Sequence, residues 1–487
     1  MQKYQRITTV LHLCSFLVLL FSLTTLVPVA VGWLYDESDI SAFLITFAIT
    51  LVLGLTGFLA TQQRTATLRT RDGFLVVVLF WVIFSAASAT PFILDSRLGL
   101  TLTDALFEGI SGITTTGASV LSDIDTLPPS ILYYRAQLNF LGGLGIIVLA
   151  IAVLPLLGIG GAKLYQSEMP GPLKESKLTP RIADTAKHLW FIYLALAALC
   201  TLSYRLAGMT WFDAVCHSLS TVSLGGFSSH GDSLGFYNNS IAIELVGGVF
   251  TLLAAVNFAL YFLVISGRSL KPIFRDSEFR FFITVTGILV SFTVVELYRS
   301  GTFDSQGALV HGFFQTLSIM TDNGLTTAGY PNWPDHVAIL LIGSSFFGGC
   351  VGSTCGGIKA MRFLVLYRQG KEEIKQLVHP NALSLPKVGG HVVSERVIRS
   401  VWGLFFLYVF LACVFTWGLV ACGHDLKTAF GTVAACLNNM GVGYGDTAAG
   451  FGGLTDQAKW LMYAAMLCGR LEIFPLLIIF TRIFWRY

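Results

Sequence analysis

The chain has 487 residues, of which 54% are hydrophobic and 12% are charged, and its formal net charge is +3. Ordinary soluble domains carry about 25% charged residues. The composition therefore excludes a soluble enzyme and predicts an integral membrane protein in contact with lipid. We expect no nucleic-acid partner.

The nine cysteines lie mostly in apolar surroundings and form neither a CxxC pair nor a His/Cys cluster. This distribution favours buried thiols over a metal site or a disulfide framework. We expect no covalent cofactor.

Two apolar stretches come first, near residues 8–33 and 40–60. Each reaches the roughly 20 apolar residues that a membrane-spanning helix needs. The first stretch exceeds the apolar region of a signal peptide, which is about 7–15 residues long. We therefore assign both stretches to spanning helices of an N-terminal segment, residues 1–70.

A pattern of span, short helix, glycine turn and second span then occurs four times. The turn glycines Gly117, Gly225, Gly324 and Gly441 are 108, 99 and 117 residues apart, which indicates an internal repeat. The predicted units are 71–160, 161–268, 269–395 and 396–487. Their predicted spans are 73–94 and 132–158, 186–208 and 240–266, 279–298 and 336–367, and 398–421 and 456–484. Their predicted short helices are 102–113, 210–221, 306–320 and 426–437.

The predicted fold is an all-α polytopic membrane protein with ten crossing helices. Two of these helices are N-terminal, and the others belong to four pseudo-symmetric helix–pore loop–helix units around a central pore. Placing the N-terminus in the cytoplasm puts most of the 31 Lys and Arg residues in cytoplasmic segments. Such a bias fixes orientation, so all four turns are expected to face outward.

The four turns are candidates for an ion filter made of backbone carbonyls, because glycine lets consecutive carbonyls turn toward one axis. The predicted filter residues are Thr114-Thr115-Thr116-Gly117, Val222-Ser223-Leu224-Gly225, Thr321-Asp322-Asn323-Gly324 and Asn438-Asn439-Met440-Gly441. For any single turn, a glycine that loosens a loop or packs a helix is the favoured interpretation, and only the four turns in register favour the filter. Asp322 could attract cations at the mouth or cap its own turn, and both interpretations stay open.

A glycine-rich segment lies inside the second span of the third unit. Its residues of interest are Gly348, Gly349, Gly352, Ser353, Thr354, Gly356, Gly357 and Lys359. Each glycine in a helix interior costs about 1 kcal/mol relative to alanine, so the helix is expected to break here. Close helix packing by small residues is the alternative. Lys359 either holds the segment in place or marks the cytoplasmic edge.

Arg470 lies within the last predicted span. A cation in hydrocarbon costs at least about 2.5–3.5 kcal/mol, so it should face a partner or a wet cavity. Glu472 points elsewhere on a helix and is a poor partner. We expect Arg470 beside the conduction path, where its charge limits the dwell of a cation. A structural arginine that binds carbonyls of a neighbouring turn is the alternative.

The two histidines of the short helices, His217 and His311, are expected to be packed hydrogen-bonding residues rather than proton relays. No pair of carboxylates, nucleophile–base set or phosphate loop is evident, so we expect no enzymatic activity.

These stretches resemble the Trk/Ktr/HKT superfamily of potassium transporters, and within it the TrkH-like potassium-translocating membrane subunits. The resemblance covers essentially the whole chain. Besides the turns, it is carried by Gly171-Pro172-Leu173-Lys174, Gly352-Ser353-Thr354-Cys355-Gly356-Gly357-Ile358-Lys359 and Gly469-Arg470-Leu471-Glu472-Ile473-Phe474.

The resemblance implies potassium uptake across a bacterial inner membrane, with potassium ions in the pore and a mobile intramembrane loop below the filter. It also implies a homodimer that docks a ring of cytoplasmic RCK-type nucleotide-binding subunits. A membrane potential alone could drive uptake, since one charge crossing 100 mV gains about 2.3 kcal/mol. Proton or sodium symport stays open. A sodium-permeable or weakly selective pore is one alternative, and a secondary transporter with inverted repeats is another.

Overall fold

The computed structural model describes residues 2–62, 70–148, 182–237, 240–379 and 386–486. Over these ranges the protein is helical, apart from a small antiparallel hairpin of Lys387–Val388 and His391–Val392. The segment Gly171-Pro172-Leu173-Lys174 and most of the predicted basic loop at 159–185 lie outside the described residues.

Long apolar helices form the outside of the molecule. They are Gln2–Thr24 continued by Leu26–Leu34, Ser41–Thr61, Thr70–Leu94, Ile182–Leu206, Ser277–Arg299 and Glu395–Ala421. Large apolar side chains such as Phe191, Phe406 and Leu53 are exposed on them. Hydrocarbon solvates such side chains as well as a protein interior does, so this surface is suited to lipid.

The second helix of each predicted unit is shorter or broken. These helices are Pro129–Val148; Ile241–Ala254 with Phe258–Gly267; Asp335–Ser345 with Ala360–Val378; and Asp456–Arg470 with Phe474–Ile479 and Arg482–Arg486. The pair in the second unit bends by 88°. Asn257 lies at that bend and accepts a hydrogen bond from the Ala259 backbone N–H, which starts a new helix.

The expectation of ten helices of crossing length is therefore not met within the described ranges. Six helices there are long and apolar enough to cross a membrane, or seven if the bent pair counts as one. The predicted spans at 336–367 and 456–484 are interrupted, the first at the glycine-rich segment. The second breaks where Glu472 and Ile473 adopt positive φ values of 52° and 63°, which end a right-handed helix. Residues 149–158 of the predicted span 132–158 are not described.

Four short helices occupy the interior, and they are named short helices 1 to 4 below. They are Leu102–Ile113, Trp211–Ser223, Ser305–Met320 and Leu426–Leu437. Their N-caps are Thr101, Thr210, Asp304 and Asp425, whose side chains accept from the backbone N–H three residues on. These caps satisfy N–H groups that the helix leaves free.

The first turns of short helices 1 and 2 each contain a threonine and an aspartate that bind each other. Thr101 and Thr210 are the caps, and their hydroxyls donate to Asp104 and Asp213, each over 2.7 Å. The two aspartates therefore stand in the first turn, where a carboxylate is stabilised by the positive end of the helix dipole.

The assignment of chain segments to four units stays a prediction.

Candidate functional site

The turns that follow the four short helices meet one another in a closed cycle. A Cβ placed on Gly117 would lie under 3.0 Å from the carbonyl oxygen of Gly225 in the second turn. The same holds for Gly226 against the Asn323 carbonyl, for Gly324 against that of Met440, and for Gly441 against that of Thr116. Each turn thus touches the next, and the fourth touches the first. Only a residue without a side chain allows backbone to approach backbone this closely.

The backbone of the four turns follows one pattern. Positive φ values of 79°, 75°, 78° and 79° occur at Gly117, Gly226, Gly324 and Gly441. Two residues earlier φ is also positive, at Thr115, Leu224, Asp322 and Asn439. Between these positions a backbone N–H donates five residues back to the short helix, from Thr116, Gly225, Asn323 and Met440. The four turns are therefore conformationally equivalent.

This equivalence corrects the register that the sequence assigned to the second turn. Gly226, not Gly225, matches the other three glycines, and Val222 still belongs to short helix 2. The second turn is Ser223-Leu224-Gly225-Gly226. Sequence spacing contained this signal, because Asp104 and Asp213 precede Gly117 and Gly226 by 13 residues each.

Side chains of the first and fourth turns hold them against their surroundings. Asn439 Nδ2 donates to Thr116 Oγ1 over 2.9 Å, which joins the fourth turn to the first. Asn438 Nδ2 donates to Ser345 Oγ over 2.6 Å, and Tyr408 donates to Asn438 Oδ1 over 2.6 Å. Amide and hydroxyl groups thus brace the first and fourth turns.

The third turn contains the carboxylate of Asp322. This side chain is fully buried, and neither of its oxygens has a hydrogen-bond partner among the described residues. A Cβ placed on Gly357 would lie 3.2 Å from Asp322 Oδ2. Asp322 therefore neither caps its own turn nor stands at an exposed mouth; it lies beside the glycine-rich segment.

The glycine-rich segment is non-helical between Phe346 and Lys359 and lies directly against the turns. Thr354 Oγ1 donates to the carbonyl oxygen of Val222 over 3.2 Å. A Cβ placed on Gly356 would lie under 3.0 Å from the carbonyl oxygen of Asn438. The predicted break of this helix is confirmed, and the residues of the segment contact the end of short helix 2 at Val222 and the third and fourth turns.

Two buried charged side chains hold the ends of this segment. Glu278 Oε1 accepts from the backbone N–H of Val351 over 2.7 Å and from that of Met361 over 3.2 Å. The Lys359 ammonium donates to the carbonyl oxygen of Cys355. Lys359 therefore folds back onto its own segment.

Arg470 lies at the end of helix Asp456–Arg470 and is 5% exposed. Its guanidinium donates to the carbonyl oxygen of Thr354 over 3.3 Å and to that of Gly142 over 3.0 Å, and it lies 5.5 Å from the ring centroid of Trp81. Glu472 pairs instead with Arg362. Arg470 thus joins the glycine-rich segment to helix Pro129–Val148.

The two histidines of the short helices, His217 and His311, are buried and have hydrogen-bond partners. His217 contacts the Asp213 carbonyl oxygen and Ser228 Oγ, each over 2.9 Å. His311 Nδ1 lies 3.0 Å from a carboxylate oxygen of Glu244. Both are therefore partnered within the protein core.

A third histidine, His230, joins two loops outside the spanning helices. Its Nδ1 lies 2.8 Å from Asp125 Oδ1, and its Nε2 lies 3.3 Å from Asp213 Oδ1. Although burial alone lowers the pKa of His230, the Asp213 and Asp125 carboxylates raise this pKa above its ordinary value. The hydrogen bond from His230 in turn lowers the pKa of Asp125. The sequence carried no signal for this contact.

Clustered metal ligands are not found in the described part of the chain, where no group of three His, Cys, Asp or Glu residues is placed to hold a metal ion. The oxygens that the turns bring together are backbone carbonyls, which suit a weakly hydrated monovalent cation in transit.

Comparisons with known proteins agree with this arrangement. A family model described as TrkH, cation transport protein, matches residues 39–486. The chain is 54% identical to the Trk system potassium uptake protein TrkG of Escherichia coli K12, and the match covers 99% of each chain. It is 45% identical to the Trk system potassium uptake protein TrkH of Vibrio parahaemolyticus, over 98% of this chain and 99% of that one.

A solved structure has the same fold. The crystal structure of the potassium transporter TrkH from Vibrio parahaemolyticus superposes with a TM-score of 0.91 at 43% identity, covering 99% of this chain and 100% of that chain. The helical membrane fold, the full-length sequence matches and the family model lead to one assignment: the chain belongs to the TrkH family of cation transport proteins.

Proposed function

We propose that this protein takes up potassium ions through a gated pore whose filter is the ring of four glycine turns. The observation that carries the proposal is the closed cycle of contacts among the turns, which brings four equivalent backbone bends to one place. Carbonyl oxygens arranged in this way replace the hydration shell of a cation. The filter residues are Thr114–Gly117, Ser223–Gly226, Thr321–Gly324 and Asn438–Gly441. The potassium uptake proteins among its relatives support potassium as the cargo.

The glycine-rich segment, residues 348–359, acts as the gate in this proposal. It abuts the third and fourth turns and the end of short helix 2, and it is held by Arg470 through Thr354. Conduction requires this segment to move aside, which breaks hydrogen bonds that Thr354 makes to Val222 and that Arg470 makes to Thr354. Arg470 then lies beside the ion path, where its charge shortens the dwell of a cation.

The setting of the pore is proposed on the same basis. The protein spans a bacterial inner membrane with its N-terminus in the cytoplasm, forms a homodimer and docks cytoplasmic RCK-type nucleotide-binding subunits. Its relatives are named as proteins of Trk systems, which supports a separate partner. The inward-negative membrane potential supplies the driving force, and symport with protons or sodium is a variant of this proposal.

Flux measurements test the proposal. The purified full-length protein is placed in lipid vesicles, and uptake of potassium, rubidium, sodium and lithium is compared under an imposed inside-negative potential. We expect potassium and rubidium to enter in preference to sodium and lithium. Equal sodium and potassium flux would contradict the selective filter and indicate a general cation pore. If no ion is transported, either with or without an RCK-type partner, the proposal of a pore is wrong.

A further inference from the structure

Each short helix carries a buried polar side chain nine residues before its positive-φ glycine. The four side chains are Glu108, His217, Gln315 and Thr432, and all are fully buried. A polar group in such a position is costly unless it finds a hydrogen-bond partner. Each of the four finds its partner on the chain that leaves its own turn.

The first of these contacts is the most extensive. Glu108 accepts hydrogen bonds from Ser119 Oγ and from the Val120 backbone N–H, each over 3.0 Å. These two residues follow Gly117 directly. Glu108 also accepts from Arg135 Nε over 2.9 Å, and the side chain of Arg135 is 1% exposed.

Arg135 extends this contact to the second turn. Its Nη1 donates to the Ser228 carbonyl oxygen over 3.0 Å, its Nη2 donates to Ser119 Oγ over 3.0 Å, and its guanidinium lies 4.2 Å from the ring centroid of Phe227. Phe227 and Ser228 follow Gly226. The ion pair therefore ties together the outgoing chains of the first and second turns.

The remaining three side chains make weaker contacts of the same kind. His217 Nε2 lies 2.9 Å from Ser228 Oγ, and Gln315 Oε1 accepts from the Thr327 backbone N–H over 3.3 Å. Thr432 reaches its turn through an intermediate, because its hydroxyl lies 2.9 Å from that of Thr447, which donates to the Tyr444 carbonyl oxygen over 3.1 Å.

We propose that these four side chains are positioning residues that set the width of the carbonyl ring and so its choice among alkali cations, with the Glu108–Arg135 pair as the strongest brace. The inference rests on the proposed function. A ring that closes around a smaller ion must pull the outgoing chains inward. Braces behind those chains resist this movement, so a weakened brace admits sodium more readily and leaves the path for potassium intact.

The test measures selectivity rather than activity alone. Glu108→Gln, Arg135→Lys and Gln315→Leu are compared with the unmodified protein in vesicles, using potassium and sodium flux at saturating concentration. Ser88→Ala is the matched control, because Ser88 donates to the Gly109 carbonyl oxygen behind short helix 1 and does not reach the outgoing chain. The double variant Glu108→Gln/Arg135→Gln removes both buried charges, which guards against misfolding caused by one stranded charge.

We expect the potassium-to-sodium flux ratio to fall about tenfold or more in Glu108→Gln, Arg135→Lys and the double variant, because hydrogen bonds to charged groups are the strong ones. Gln315→Leu should lower it by a smaller factor. Potassium flux per inserted protein and the ratio in Ser88→Ala should stay near the unmodified values.

Three results would overturn the inference, and they are distinguishable. A selective unmodified protein whose variants keep the same flux ratio would overturn the braces alone. An unmodified protein that passes sodium and potassium equally would overturn both the braces and the proposed selective filter. Variants that lose potassium and sodium flux in equal measure would assign these side chains to stability instead.

Discussion

Gly356 lies against Asn438 so closely that a Cβ on Gly356 would stand under 3.0 Å from the Asn438 carbonyl oxygen. The glycine-rich segment thus packs on the fourth turn with no room for a side chain. A backbone carbonyl on the opposite side cannot rotate away as a flexible side chain can. This contact connects the proposed gate to the proposed filter.

Gly356→Ala is therefore expected to push the segment away from the ring and to raise potassium flux in the absence of a regulatory partner. Gly343→Ala is the matched control, because a Cβ on Gly343 meets no atom within 4 Å. Partner-free flux per inserted protein, measured in vesicles, checks this expectation. Unchanged flux in Gly356→Ala would show that displacing the segment does not open the path.

The corrected register of the second turn predicts different outcomes for two adjacent glycines. Gly226→Ala strains a positive-φ residue by about 1–2 kcal/mol and also meets the Asn323 carbonyl. At Gly225 the nearest obstruction to a Cβ is the side chain of Asn139, and φ is not positive.

Gly225→Ala combined with Asn139→Gly should therefore recover much of the potassium selectivity, whereas Gly226→Ala should lose it with or without Asn139→Gly. The potassium-to-sodium flux ratio measures both. Equal rescue at the two positions would contradict the register.

Removal of Arg470 should release the glycine-rich segment, because the guanidinium joins Thr354 to Gly142. Arg470→Lys keeps the positive charge but lacks the planar guanidinium that donates to both carbonyl oxygens. Hydrogen bonds from charged groups contribute about 1.5–3 kcal/mol, so partner-free flux should rise about tenfold in Arg470→Gln and Arg470→Lys.

Arg399→Gln, at an exposed surface pair with Glu395, provides the control for Arg470. Vesicle flux normalised to inserted protein is the measurement. Loss of insertion in both Arg470 variants would indicate a structural arginine instead.

Asp322 and Lys359 should be energetically coupled, because both side chains are buried and Asp322 Oδ2 lies against Gly357, two residues before Lys359 in the same segment. A double-mutant cycle of Asp322→Asn and Lys359→Met tests this, with thermal unfolding in detergent as the measurement. Interacting residues in one network typically couple by about 0.5–3 kcal/mol. Additive effects of the two substitutions would show that the groups do not sense each other.

The two loops that His230 and Asp125 join should be most stable in mildly acidic solution. Because the pKa of His230 is raised, its contribution to folding stability is complete when the pH is below the ordinary histidine pKa of about 6.5. This contribution is lost as the pH rises through the higher pKa of the folded state. Because the pKa of Asp125 is lowered, its contribution to folding stability is complete when the pH is above the ordinary aspartate pKa of about 3.9 and is lost at lower pH. Stability from this pair is thus greatest between roughly pH 4 and 6.5.

His230→Gln should remove the loss of stability above that range, and His391→Gln, an exposed hairpin residue, should not. Hydrogen exchange of residues 226–237 across pH 5 to 9, corrected for intrinsic rates, provides the measurement. An identical pH profile in His230→Gln would refute the assignment.

Much of the local structure could be predicted from the sequence. Low charge and long apolar runs indicated a membrane protein, and the spacing of four glycine turns indicated four similar units. The short helices were placed to within a residue or two, because capping residues and apolar runs act over only a few neighbours. The break near Gly348–Gly357 was also predicted, since helix propensity is a local property.

Tertiary structure alone decided which parts meet. That Gly226 rather than Gly225 completes the set depends on how four backbones bend, and both residues are glycine in the sequence. The contact of Gly356 with Asn438 and the pairing of Glu108 with Arg135 join residues whose separation along the chain says nothing of their distance in space. Such contacts follow from the crossing of packed helices, which side-chain shape over the whole molecule determines. Sequence therefore established the kind of molecule and its turns, and packing established the closed ring, its braces and the segment that lies against it.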